Sequence, residues 1–528
     1  MNFDFLIKGG LVIDGRGGNT APREEDIGIK GGRIKAIGRL PEDRADKVIN
    51  ADGLCVCPGF IDTHAHSEFT LLSDGRAEGK ICQGITTEIN GNCGLSAAPL
   101  YGAAFEQRKK DLEDLDIKER WNSFSEYFAI LNKKKFATNF MTLVGHGNLR
   151  ASVAGYAARE LIHEEKENMS KFLKDAMDSG ARGLSTGLVY PPGVYSDTSE
   201  IIELAKETVE YKGRIYTTHM RSEGHGLLEA IDEVIKIGLD SKIPVHISHL
   251  KTSGEKNWGK INKVFEKIHD AQQKGLNLTC DRYPYIAAST DLDAVLPSWV
   301  YEGGHEKELE RLKSSNVQER IRKEILQEHP EKDYWDNITI SSVNLNKNKW
   351  MESKRLSDIS RISGKAPMEF FFEILAEENL RVGAIFFSMN EDNLKSILKL
   401  PFAMFGSDSS ARSFDGITAQ GKPHPRGFGS FPRILGKYVR EEKVFSLQEA
   451  VYKMTGLPAA TFKIKQRGII AKDFFADITV FDPNTVKDNS TFDNPFQMPE
   501  GIYYVFVNGA PVIWEGGCTG ALPGRILT

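Results

Sequence analysis

Between residues 60 and 408, eight short apolar runs recur, and most end in a histidine, a cysteine or an aspartate. They cover residues 60–66, 86–93, 139–146, 181–187, 215–219, 244–249, 276–281 and 402–408. Stretches of helical periodicity lie between most of them, for example 200–211, 227–237 and 261–274. Eight strands alternating with helices argue for a parallel (β/α)8 barrel, an α/β fold. In that fold, functional groups gather at the C-terminal ends of the strands, which is where His64, His66, Cys93, His219, His249 and Asp408 all fall.

The ends of the chain follow a different rhythm. Residues 4–14 read as two short strands around a Gly9-Gly10 turn, and 25–38 and 47–56 continue the β-rich pattern. Residues 475–481, 502–507 and 510–514 are also strand-like. The last two are joined by Asn508-Gly509, a strong hairpin signal. The simplest arrangement folds 1–56 and 466–528 together as one small β domain beside a barrel spanning 57–465. The stretch from 292 to about 387 breaks the barrel rhythm and reads as an insertion over the mouth, placed at about 290–345. The alternative is that 382–387 is itself a barrel strand.

Bulk properties narrow the function. A chain of 528 residues with 40% hydrophobic content can build a large core. The net charge of −5 and the absence of a basic block argue against nucleic acid as a partner. No apolar run reaches 18 residues, so no membrane span is expected. The first ten residues lack the basic start and apolar core of a signal peptide. The six cysteines, at 55, 57, 82, 93, 280 and 518, form no disulfide framework, and a cytoplasmic location is expected.

Within Pro58-Gly59-Phe60-Ile61-Asp62-Thr63-His64-Ala65-His66, the histidines at i and i+2 point the same way on a strand. Neutral imidazole is a common zinc ligand. Cys93 sits in Gly91-Asn92-Cys93-Gly94, and a thiolate there can bind or bridge metal ions. His219 and His249 end two later runs, and Asp408 closes the last. A carboxylate at that position can bind metal or take a proton from water. Each residue alone has a plainer reading: a packed imidazole, a buried thiol, a helix N-cap. Their recurrence at strand ends favours a shared centre. His246 is assigned to packing or to bracing a ligand, and His146 to the pocket margin. His163, His225, His269, His305 and His329 are assigned to the surface.

The motif ending in His64-Ala65-His66 resembles the first-strand motif of the amidohydrolase superfamily of metal-dependent hydrolases. Gly91-Asn92-Cys93-Gly94, Val144-Gly145-His146-Gly147, Ser185-Thr186-Gly187-Leu188, Thr218-His219-Met220-Arg221, Ser248-His249-Leu250-Lys251, Tyr283-Pro284-Tyr285, Gly406-Ser407-Asp408 and His424-Pro425-Arg426 narrow the resemblance to the N-acyl-D-amino-acid deacylase (D-aminoacylase) branch. It runs on to Val507-Asn508-Gly509 and to 520–525.

The resemblance implies a distorted barrel with a small β-sandwich built from both termini. It implies a centre of His64, His66, Cys93, His219, His249 and Asp408. Cys93, His219 and His249 would hold one zinc tightly, with a second, weaker divalent metal near His64 and His66. It also implies that Lys251, Tyr283 and Arg426 bind the carboxylate of a small N-acyl amino acid, with Tyr190 and Ser289 lining the pocket. The reaction expected is attack of zinc-bound hydroxide on a linear amide, with Asp408 as general base and then acid. The alternative is another amidohydrolase, a cyclic-amide hydrolase or a dipeptidase-like amidase. A catalytically silent barrel is the third reading. The fourth run holds no lysine, where dihydroorotases and hydantoinases carry a carboxylated one, and this counts against the cyclic-amide branch.

Overall fold

The structure, a computed structural model, describes residues 2–18 and 21–528. The eight apolar runs become eight parallel barrel strands: β1 (Phe60–Asp62), β2 (Ile85–Asn90), β3 (Asn139–Thr142, resumed at Val144–Gly145), β4 (Gly183–Gly187), β5 (Ile215–His219), β6 (Val245–Ile247), β7 (Leu278–Arg282) and β8 (Ala403–Phe405). Every residue of these strands is buried, which is why the sequence shows runs and not alternation. Four of the connecting helices begin at a side-chain cap. Thr198–Val209, for example, starts where the Asp197 side chain accepts the Glu200 N–H.

The barrel is distorted at two places. β3 breaks at Leu143, so its first half pairs with β2 and its second with β4. Between β8 and β1 the regular ladder gives way to a parallel bridge, Ala65 with Ser409, and the Asp408 N–H donating to His64 O at 2.8 Å. A buried polar network replaces the missing ladder. Lys80 Nζ donates to Asp62 Oδ2 at 2.7 Å, Ser407 Oγ at 2.7 Å and Ser409 O at 2.8 Å. Asp62 Oδ1 in turn accepts the N–H groups of His64 and Ser407. A fully satisfied buried ion pair of this kind is tolerable where an unpaired one is not. Gly406 lets the strands meet, since a Cβ there would lie 2.5 Å from the Cβ of His64.

Both chain ends share one nine-stranded sheet, branched at the strand Phe3–Val12. The two halves join where Cys55–Pro58 runs antiparallel to Ile478–Phe481. The first segment differs from the sequence reading, because Phe3–Val12 is one strand and not two around a turn. Gly9, at φ +70°, forms a bulge, and its N–H donates to Asp26 Oδ1 at 2.9 Å. Asn508 and Gly509, both at positive φ, make the two-residue hairpin turn between Ile502–Val507 and Ala510–Trp514.

The inserted unit has its own sheet and apolar core. Gly383–Phe386 pairs antiparallel with Ala288–Asp291 on one side and Ile338–Ser342 on the other. Segment 382–387 is therefore not a barrel strand, and the insertion runs well past residue 345. Leu292, Ile321, Ile340, Phe371 and Leu375 fill its core. Among the described residues, no helix is long and apolar enough to cross a membrane.

Candidate metal centre

The strand exits of β1, β2, β5, β6 and β8 bring six side chains to one end of the barrel. Three of them leave their strands through left-handed backbone: Cys93 at φ +55°, His249 at +36° and Asp408 at +49°. Such conformations cost on the order of 1–3 kcal/mol each in non-glycine residues and collect at functional sites. The glycines around Cys93 are required sterically. A Cβ on Gly91 would sit 2.2 Å from Leu143 O, and one on Gly94 2.7 Å from Gly187 N.

Cys93 Sγ stands 3.2 Å from His64 Nε2 and 3.5 Å from His249 Nε2. Asp408 Oδ1 stands 3.5 Å from His64 Nε2 and 3.3 Å from His66 Nε2. The His219 and His249 rings cross edge-on at 4.4 Å. Ligand atoms bound at 2.0–2.3 Å around a tetrahedral ion lie about 3.3–3.8 Å apart, so these spacings suit a shared ion. Cys93 lies between His64 and His249, the position of a bridging donor, and also interacts with His219.

Charge fits the same reading. Burial would push the Cys93 thiol up, but the His64 and His249 rings outweigh it and hold it well below the usual thiol range. Burial opposes ionisation of Asp408 as well, yet Arg426 and the imidazoles hold it well below an ordinary carboxylate. His66 and His249 rise to about 9 against the lowering effect of burial, through Asp408 and Cys93 for the first, and Glu223 and Cys93 for the second. An anionic thiolate and carboxylates need positive charge among them. A divalent cation supplies it and leaves the imidazoles neutral, so the donor set fits a metal of the zinc type.

Two carboxylates escaped the sequence reading. Asp281, at the end of β7, accepts the His249 N–H at 2.7 Å and lies 2.8 Å from His246 Nε2 and 3.3 Å from His64 Nδ1. It orients the His64 ring so that Nε2 faces Cys93, the role of an outer carboxylate in metal sites. Its strand-end position was the available signal. Glu223, four residues past His219, lies 3.6 Å from His219 Nε2 and 3.0 Å from His249 Nδ1, and pairs with Lys251. It belongs to a second cluster with metal-holding geometry, His219, Glu223 and His249.

The expected substrate residues line the same cavity of about 1750 Å³. Lys251 Nζ also contacts His249 Nδ1 at 2.8 Å. Arg426 Nη1 is 2.8 Å from Asp408 Oδ2, off the hydrogen-bonding direction, so the contact is an ion pair; Nη2 donates to Ser289 O at 3.2 Å. The Arg426 guanidinium lies 4.6 Å from the centre of the Tyr283 ring. The buried Tyr283 hydroxyl has no hydrogen-bond partner among the described residues. His424 accepts the Arg426 N–H at 3.0 Å and fixes where that residue starts. Tyr190 packs edge-on against His219 and donates to Thr290 Oγ1 at 3.3 Å. The Ser289 hydroxyl turns to Ala384 O, so its carbonyl, not its hydroxyl, meets Arg426. His146 is turned away to Glu200, 2.8 Å off.

The sequence profile of the amidohydrolase family matches residues 47–513. A D-aminoacylase of Alcaligenes xylosoxydans xylosoxydans is 37% identical over 525 residues, 99% of this chain and 97% of that protein. An N-acyl-D-glutamate deacylase of Bordetella bronchiseptica, solved with zinc and a phosphonate mimic of the tetrahedral intermediate, superposes with TM-score 0.83 at 33% identity, covering all of both chains. A D-aminoacylase structure described in terms of a binuclear metal centre, with one-metal activation and second-metal attenuation, gives TM-score 0.83 at 35% identity, again covering both chains fully.

Proposed function

The chain belongs to the amidohydrolase family, and from that membership we propose that it hydrolyses the amide bond of N-acyl-D-amino acids, giving a carboxylate and a free D-amino acid. One observation carries the reading. A thiol, imidazoles and a carboxylate spaced for a metal share a cavity with Lys251, Arg426 and the unpartnered hydroxyl of Tyr283. The first set suits a reacting carbonyl and the second an α-carboxylate.

Zinc held by Cys93, His219 and His249, with a second and weaker ion near His64 and His66, would polarise the acyl carbonyl and make a water acidic enough to react near neutral pH. Asp408 is the general base and acid. Arg426 keeps its carboxylate ionised, so it is ready to take the proton of the attacking water. Asp408 then passes that proton to the amide nitrogen, which otherwise leaves as a very poor amide anion. Lys251 and Arg426 supply charge for the α-carboxylate, Arg426 through a planar fork suited to it. Tyr283 adds a donor, and Tyr190 and the Ser289 backbone bound the pocket. The absence of lysine from β4 supports a linear amide over a cyclic one.

The test is a panel of N-acyl amino acids in both enantiomers, with metal-depleted and zinc-restored protein. Zinc-dependent release of D-amino acids is expected. Preference for hydantoin or dihydroorotate, or for L-substrates, would overturn the assignment.

A further inference from the structure

The cavity exceeds the roughly 300–1,000 Å³ usual for a small-ligand pocket, so it has room beyond the reacting amide. The strand Ala288–Asp291 leads from the metal centre into that space. Ser289 O meets Arg426, and Thr290 meets Tyr190. At about 3.3 Å per residue, Asp291 lies roughly 7 Å further along. Asp293 follows it, and Glu308 comes in from the helix His305–Lys313; all three line the cavity.

Glu308 is 2% exposed, and its Oε1 has no hydrogen-bond partner among the described residues. A buried carboxylate oxygen left in that state is costly unless something completes it. The nearby cations are committed elsewhere. Arg108 pairs with Asp111 at 3.0 Å, Arg381 pairs with Asp114, and Arg311 donates to the carbonyls of Val300 and Glu302. His305 contacts Gln107 at 2.8 Å. Desolvation and the neighbouring Asp111 push Asp291 up to about 6 against Arg108 and Arg381, desolvation and Asp291 push Asp293 to about 8, and desolvation and Asp293 push Glu308 to about 9 against Arg311. The arginines that line this wall, Arg108 and Arg381, are thus paired with carboxylates other than these three.

We infer that Asp291, Asp293 and Glu308 form a subsite for an ammonium or guanidinium group carried by the substrate. The inference rests on the deacylase reading for the reaction, but the subsite can be tested apart from it. A cation there would satisfy Glu308 Oε1 and relieve the repulsion among the three acids. The group can sit on the amino-acid side chain or on the acyl part; the chemistry is the same.

The experiment compares kcat/KM for N-acetyl-D-arginine and N-(6-aminohexanoyl)-D-norleucine, each against N-acetyl-D-norleucine. It uses the zinc-loaded wild type and the variants Glu308→Gln and Asp293→Asn. A cationic substrate is expected to be preferred by the wild type, and each variant should lower that ratio at least tenfold. The substrate showing the effect identifies which end carries the cation. Equal ratios in wild type and both variants would overturn the subsite. Agmatine binding by calorimetry gives the independent reading. If no N-acyl-D-amino acid is hydrolysed, the deacylase reading fails, but agmatine binding weakened tenfold in the variants still supports the subsite. No agmatine binding to the wild type, beside normal deacylase activity without a cationic preference, would sink the subsite alone.

Discussion

Two groups of carboxylates, one at the barrel end of the cavity and one on its inserted side, differ in what stands opposite. On the barrel side, Asp281, Glu223 and Asp408 face imidazoles, Lys251 and Arg426, and all three are pulled below the ordinary carboxylate range although burial opposes it. On the inserted side, Asp291, Asp293 and Glu308 have other acids as neighbours, Asp111 among them, and are pushed up although Arg108, Arg381 and Arg311 oppose it. Burial acts in the same direction on both walls, so the partners decide the sign. The barrel wall has its charges arranged before any substrate arrives, as preorganised catalysis requires. The inserted wall holds a buried carboxyl, Glu308, with one oxygen that has no hydrogen-bond partner among the described residues.

The most severe way to break the barrel wall is to remove its proton carrier. Asp408→Ala is expected to lower kcat by about 10²–10⁴-fold, the usual weight of a general acid–base, while zinc content stays near that of the wild type. Elemental analysis beside steady-state kinetics checks both halves, and a near-normal rate would remove Asp408 from its role. Asp281→Asn should act more gently. It leaves every direct donor in place but loosens the His64 ring, so metal affinity should fall about 10–100-fold. Competition against a graded chelator measures that, and unchanged affinity would mean that Asp281 merely packs.

How far the sequence revealed these walls follows from how each is built. Barrel strands buried on both faces leave unbroken apolar runs, and strand ends mark the mouth, so His64, His66, Cys93, His219, His249 and Asp408 could be picked out one by one. Asp281 also ends such a run, but nothing in its neighbourhood separates an orienting carboxylate from a cap. Glu223 lies on a loop, where periodicity says nothing. The Gly9-Gly10 pair reads equally as a turn or a bulge, and only the register against Arg23–Lys30 decides. The inserted unit was hardest to bound. Its sheet joins residues 288–291, 338–342 and 383–386 across long helical stretches. Contacts so distant in the chain leave no local pattern, and the acid cluster they assemble left none either.

The inserted wall can be sharpened by pH. Asp293 and Glu308 have ordinary values of 3.8 and 4.5 in the unfolded chain and about 8 and 9 when folded. Between those limits the folded state binds more protons than the unfolded one, so stability must fall as pH rises. The contribution is fully present below about pH 4 and is lost as pH climbs through 8–9. Thermal unfolding of metal-loaded protein between pH 6 and 9 should show this decline, and Glu308→Gln should flatten it. A slope identical in that variant would mean that other groups carry the linkage.

The smallest effect is expected where the inserted unit meets the barrel. Arg381 reaches from the insertion to Asp111 at 3.5 Å and to Asp114, both on the barrel helix Ala103–Asp114. All three side chains are partly exposed, so solvent and salt screen the pairs, and each is worth about 0–1 kcal/mol. Arg381→Gln should therefore move the melting temperature only slightly, and less in 0.5 M salt than at low ionic strength. The variant also removes a positive charge that acts on Asp291 and makes the inserted wall more negative. If the cation subsite is real, the preference of kcat/KM for a cationic over a neutral substrate should rise in this variant while stability barely changes. A fall in that preference would show Arg381 to be a contributor to substrate binding and would place the charge balance of the wall with the opposite sign.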